Sequence, residues 1–124
     1  MSAEMTQTTV EDRGFDIFAS LCPSRSVLRD VTGKWAPLVM IALEEGATRF
    51  GELHRQIGGS SERMLSQTLT TLTEDGAVTR QLDAAGRPVY TLTECGQALV
   101  VHLRGLRDVI YDQLGAGSEV RGAS

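Results

Sequence analysis

Two residues in this 124-residue chain could do covalent chemistry, Cys22 and Cys95. Cys22 stands directly before Pro23, where a helix should begin, so unpaired N–H groups and the positive end of the helix dipole would favour its thiolate. Arg25 follows close behind and would add to that effect. A thiol brought below its usual pKa of about 8.5 reacts with oxidants and electrophiles at neutral pH, which makes Cys22 the candidate redox-sensing residue; the competing reading is a cysteine that merely fills space. Cys95 falls in the first turn of the last expected helix and reads as a packing residue. It is a candidate resolving thiol only if its Cα comes within about 7 Å of that of Cys22. His54 and His102 have no cysteine or carboxylate at ligand spacing, so no metal is expected. Without a glycine-rich phosphate loop or a nucleophile elbow, no catalytic residue and no cofactor is expected either.

A second group of residues could do non-covalent chemistry. The stretch 61-SERMLSQTLTTLTEDG-76 has helical apolar spacing, with Leu65, Leu69 and Leu72 on one face. Its opposite face carries Arg63, Gln67, Thr70 and Glu74, flanked by Ser66 and Thr71. Hydroxyl residues are mediocre helix formers, so their concentration on an exposed face needs a reason. Arg and Gln can pair bidentately with guanine and adenine in the major groove, and short hydroxyl side chains reach phosphates or bases at close range. The face therefore reads as a recognition surface for double-stranded DNA, against the plainer reading of a Thr-rich solvent edge.

The elements around this helix must position it. The piece FDIFASL carries Phe15, Phe18 and Leu21 at helical spacing, and a helix should follow from Pro23 to Gly33. The run 35-WAPLVMIALEEG-46 predicts a helix buried on most sides, with Pro37 tolerated in its first turn. The segment 48-TRF-50 has room for one edge pairing, and 51-GELHRQI-57 predicts a short helix closed by Gly58 and Gly59. Ser61 is then the N-cap of the recognition helix. After Gly76 the period changes to two, giving a hairpin of 77–83 and 88–92 that carries Arg80 and Arg87. Thr93 can cap a long last helix ending near Leu114. Two short helices across a tight glycine turn, followed by a hairpin, make a winged helix-turn-helix: an α+β fold, mostly α. Lys34 and Arg49 flank this unit as candidate phosphate contacts beside Ser61 and the two wing arginines.

Composition permits this reading. The net charge of −4 opposes DNA binding only as an average, because several acidic residues sit in the N-terminal tail. Residues 1–12 are expected to be a disordered tail, 13–114 one domain, and 115–124 a flexible tail. No run has the apolar length of a membrane span and no export signal is visible, so a cytoplasmic location is expected. Leu99, Leu103, Leu106 and Ile110 form a seam along the last helix suited to a second helix, which predicts a homodimer.

The ordered set CP…GKW (Cys22, Pro23, Gly33, Lys34, Trp35), RFGEL (Arg49–Leu53), ERMLSQTL (Glu62–Leu69), EDGAVTR (Glu74–Arg80) and VYTLTECG (Val89–Gly96) resembles the HxlR-type winged helix-turn-helix transcriptional regulators. The resemblance implies a homodimeric DNA-binding regulator with flanking N- and C-terminal dimerisation helices, which adds Phe15 and Phe18 to the seam. It also implies that a cysteine at the position of Cys22 often senses oxidants or electrophiles. Ser60 and Cys95 depart from the family's usual apolar residues. The expected function is that of a transcriptional regulator, read as a repressor on a palindromic operator and switched at Cys22. Two other readings stay open: a regulator that answers a small-molecule effector with inert cysteines, and a winged-helix module that binds protein instead of DNA.

Overall fold

The computed structural model describes residues 17, 18 and 23–123, with side chains as far as residue 115. Cys22, Phe15 and most of the N-terminal segment lie outside the described residues. Among the described residues five helices and one hairpin follow in the order α1 (Pro23–Val31), α2 (Ala36–Glu44), α3 (Phe50–Gln56), α4 (Glu62–Glu74), β1 (Val78–Leu82), β2 (Pro88–Leu92) and α5 (Glu94–Ala123).

The apolar run around Pro37 becomes α2, which buries Ala36, Val39, Met40, Ile41, Ala42 and Leu43. It packs against every other helix and against β2, so it is the axis on which the rest is assembled. From α4 come Leu65, Leu69 and Leu72, and from α3 comes Leu53, all inaccessible to solvent or nearly so. Ser61 caps α4 as its spacing predicts, with Oγ accepting from the Met64 N–H at 3.1 Å. The threonines are partly explained within the helix itself. Thr68 and Thr73 donate their hydroxyls back to the carbonyls of Met64 and Leu69, at 2.9 and 2.7 Å.

α4 ends in a motif that only glycine closes cheaply. Gly76 has φ +83°, its N–H reaches the Thr73 carbonyl at 3.1 Å, and the Ala77 N–H reaches that of Leu72 at 3.0 Å. The chain then enters the antiparallel wing, with Val78 opposite Leu92 and Leu82 opposite Pro88. The single edge pairing expected of 48-TRF-50 is present as one backbone bond, from the Tyr90 N–H to the Thr48 carbonyl at 2.8 Å.

The start of α5 is stapled to the end of α4. Thr93 donates its hydroxyl to the Gly76 carbonyl at 2.6 Å and accepts from the Gly96 N–H at 3.0 Å. The Thr93 N–H in turn reaches the Ala77 carbonyl at 3.0 Å. Gly96 presses so closely on that same carbonyl that a β-carbon would collide with it.

Three expectations need correction. Cys95 is exposed, not packed. The inward arc of α5 contains Gly96, Val100 and Leu103, and at 100° per residue Cys95 falls to one side of it. The helix also continues past Leu114 to Ala123, because nothing in GAGSEVRGA removes a backbone donor as proline would. Finally, the seam is two surfaces. Leu103 is buried and Leu99 packs against the chain's own core, whereas Leu106 and Ile110 are exposed. Phe18 is also exposed.

The same substitution should have opposite signs at two glycines of α5. Gly96→Ala must displace the Ala77 backbone and should lower stability by about 1–3 kcal/mol. Gly105 is exposed, with nothing within 4 Å of an added β-carbon, so Gly105→Ala should gain up to about 1 kcal/mol. Denaturant melts of the two variants against the parent chain check both signs.

Candidate nucleic-acid interface

The face of α4 opposite its leucines is open. Arg63, Ser66, Gln67 and Thr70 are all exposed, while the leucines behind them hold the helix rigidly to α2. Ser61 is also exposed at the helix start, and its hydroxyl, although accepting from Met64, still has a proton to donate. The structure thus brings together five of the residues read as DNA contacts on one helix.

The wing supplies two more. Arg80 is exposed on β1 opposite Tyr90, and Arg87 follows a tight turn built by Asp83. Asp83 Oδ1 accepts from the N–H groups of Ala85 and Arg87 at 2.8 and 2.9 Å, and Gly86 takes φ +80°. The bond from the Arg87 N–H comes first, the Arg49 guanidinium second and the Ala85 N–H after them among the causes that hold the Asp83 carboxyl below its ordinary pKa.

Arg49 is placed differently from a free phosphate ligand. Its Nη2 meets Asp83 Oδ2 at 2.6 Å and its Nη1 donates to the Pro88 carbonyl at 3.2 Å. It therefore ties the start of α3 to both ends of the wing turn. Glu52 completes that corner by accepting from the N–H groups of Thr48 and Arg49 at 2.9 and 3.0 Å, which lowers its own pKa. Arg55 was not singled out from the sequence. It lines a 480 Å³ cleft with Arg49, Glu52, Arg87 and Pro88, so it stands with Arg87 where α3 meets the wing. A last-turn arginine on so short a helix was the available signal.

Lys34 is exposed in the α1–α2 turn, with Nζ 5.0 Å from the centre of the Trp35 ring. Arg25, read as a neighbour that would activate Cys22, donates from Nη1 to the Phe18 carbonyl at 3.1 Å. Among the described residues no group of three or more His, Cys, Asp or Glu side chains could hold a metal ion, and no helix is long and apolar enough to cross a membrane.

The family model described as HxlR-like helix-turn-helix matches residues 30–117. The chain belongs to the HxlR-like family of transcriptional regulators. Among curated proteins it is 42% identical over 97 residues to the uncharacterized HTH-type transcriptional regulator YtfH of Escherichia coli (strain K12), covering 77% of each chain. Among solved structures, ytfH of Salmonella typhimurium superposes with a TM-score of 0.73 at 37% identity, over 87% of this chain and 98% of that one. The redox regulator HypR in its oxidised form superposes with a TM-score of 0.67 at 28% identity, over 74% of this chain and 97% of that one. The winged helix-turn-helix read from the sequence is the fold these HxlR-like relatives share.

One acidic pair stands behind α4. Asp75 caps the C-terminus of α4, its Oδ2 is shut off from solvent without a hydrogen-bond donor, and its carboxyl meets that of Asp30 on α1. Burial, then the hydrogen bond and charge of Asp30, push Asp75 up to about 6. A carboxyl raised in the folded state favours folding at low pH, and that contribution disappears as pH rises from the ordinary 3.8 through about 6. The thermal midpoint should accordingly drop between pH 5 and pH 8. In Asp75→Asn that drop should shrink, with the variant more stable than the parent at pH 8; calorimetric scans at the two pH values decide it.

Proposed function

We propose that the protein is a cytoplasmic homodimeric repressor that places α4 of each copy in the major groove of a palindromic operator. The observation that carries this reading is the open Arg63, Ser66, Gln67 and Thr70 face on a helix whose other side is fully buried. Arg63 and Gln67 read base edges, and Ser61, Ser66 and Thr70 reach phosphates or bases from the same helix. Arg80, Arg87 and Lys34 neutralise backbone phosphates, and Arg55 joins them at the wing root. A second copy is supported by α5, where Leu106, Val109, Ile110, Tyr111 and Leu114 are exposed along one helix and more apolar surface is open than a lone domain usually leaves.

Cys22 is the proposed switch, in which reaction with an oxidant or electrophile changes the spacing of the two reading helices. Its support is the thiol's place before Pro23 and the likeness to a protein named as a redox regulator. Cys95, being exposed, is open to a second thiol. A small-molecule effector with unreactive cysteines is the competing form of the same reading.

Titrating DNA from the gene's own promoter at several salt concentrations tests the reading. Specific binding should weaken with a log–log slope of about −0.9 per phosphate neutralised. Arg63→Ala and Gln67→Ala should each cost about 1–3 kcal/mol and relax sequence preference, while Arg87→Ala should mainly reduce the salt slope by about 1. If the α4 variants bind as the parent does, the hydroxyl-rich face serves a protein partner instead.

Mild oxidant should shift operator affinity of the parent and leave Cys22→Ser unmoved. Equal shifts in both would remove Cys22 from the mechanism.

A further inference from the structure

We propose that the cleft where α3 meets the wing is a seat for one phosphoryl group, held between the guanidinium groups of Arg55 and Arg87. The cleft has a volume of 480 Å³, within the range of small-molecule sites. Phe50 and Pro88 give it apolar walls, and its charged lining is Arg49, Arg55 and Arg87 against Glu52 alone.

What remains of that charge after pairing within the chain sets the sign of the occupant. Arg49 is held by Asp83 and by the Pro88 carbonyl, at 2.6 and 3.2 Å. Glu52 turns Oε1 to the N–H groups of Thr48 and Arg49 and leaves one carboxylate's charge at the cleft. Arg55 is near enough to help lower the pKa of Glu52, yet makes no ion pair with it. Arg55 and Arg87 are both exposed, and among the described residues neither guanidinium has a hydrogen-bond or ion-pair partner. Two unpaired guanidinium groups therefore stand against one carboxylate, and the cleft favours an anion. Gly51 helps to place one of them. A β-carbon there would stand 3.4 Å from Arg55 Nη1, so this guanidinium lies back over a residue of α3 that has no side chain.

The choice of a phosphoryl group over a carboxylate follows from the two forks. Arg55 comes from a helix and Arg87 from the wing turn, so two separate elements supply them. A carboxylate has its two oxygens in one plane, and a single guanidinium fork uses both. Phosphoryl oxygens fan out around a tetrahedral centre, so one group can accept from two forks at once. A terminal phosphate ester and a backbone phosphodiester share this chemistry. If the group belongs to DNA, the seat is part of the operator interface proposed above; the seat itself does not depend on the reading of α4.

The reduced full chain, isotopically labelled and free of DNA, is titrated with inorganic phosphate at constant ionic strength while NMR follows the arginine Nε–H signals. Acetate is the carboxylate control. Phosphate should move Arg55 and Arg87 together along one saturable curve. Arg63 and Arg80, exposed but outside the cleft, should drift without saturating. Arg55→Gln and Arg87→Gln should each loosen phosphate about tenfold, since each removes a charge-assisted bond. Arg87 is exposed in the wing turn, so its variant keeps the test available should Arg55→Gln fail to fold. The proposal is overturned if no curve saturates, if all four arginines respond alike, if acetate binds as well as phosphate, or if the variants bind phosphate as the parent does. Promoter duplex is then added to the phosphate-bound chain. Displacement of phosphate assigns the seat to the DNA backbone, and retention of phosphate in the DNA complex assigns it to a free ester. A chain that takes phosphate but no duplex keeps the seat and loses the DNA reading, so the two are told apart.

Discussion

The approach of Gly96 to the Ala77 carbonyl sets the relation between the two halves of this molecule. On one side of that contact stand α4 and the wing, and on the other the long helix α5. Ala77 is the residue at which α4 has just closed and β1 is about to begin, so its carbonyl is fixed by the Leu72 bond behind it and the strand ahead. Because residue 96 has no β-carbon, the first turn of α5 can settle directly on that backbone. Thr93 uses the proximity fully, capping α5 with the same hydroxyl that it donates to Gly76. The Thr-Glu-Cys-Gly stretch is therefore a joint, and the residues that carry the family resemblance there have a mechanical reason.

A second economy concerns charge. Arg49 looks from its place in the chain like a phosphate ligand, yet its guanidinium is held by Asp83 and the Pro88 carbonyl. That tie fixes the wing's turn against the start of α3, so that Arg87 and Arg55 are presented from a defined surface. A partly exposed ion pair adds little to stability in water, and its value here is geometric. Asp83 and Glu52 both have pKa values below the ordinary carboxylate range, so this corner keeps its charges at any pH near neutrality. The whole-chain net charge of −4 says little about such a surface. Among the described residues exposed arginines stand on α1 (Arg25 and Arg29) and, as Arg55, Arg63, Arg80 and Arg87, on α3, α4 and the wing, where Glu52 is spent on a cap and Asp83 on a turn.

What was legible in the sequence follows from the range of the forces involved. Periodicity, caps and glycine stops are local, so the helix order, the Ser61 cap, the hairpin and the open face of α4 could all be read directly. Pairings between distant residues could not. Nothing local says that Arg49 would meet Asp83, that Asp30 would meet Asp75, or that Arg55 would lie beside Arg87. The reading of Cys95 failed for a related reason. Its position in the first turn was right, but which side of that turn faces the core depends on Gly96 docking against Ala77, a contact with a different element. The seam on α5 shows the same limit, since a regular leucine spacing cannot distinguish residues that cover their own domain from residues left over.

That division of α5 bears on how a signal could travel. Its first half belongs to the head, through Gly96, Leu99, Val100 and Leu103, and its second half presents Leu106, Val109, Ile110, Tyr111 and Leu114 to the outside. A helix clamped at one end by backbone contact cannot rotate there independently of α4 and the wing. If a second copy packs on the exposed half, a shift in that packing must carry both copies of α4 as bodies, changing their separation and leaving their internal shape alone. DNA is sensitive to such a change, because two half-sites lie at fixed spacings of about one helical turn.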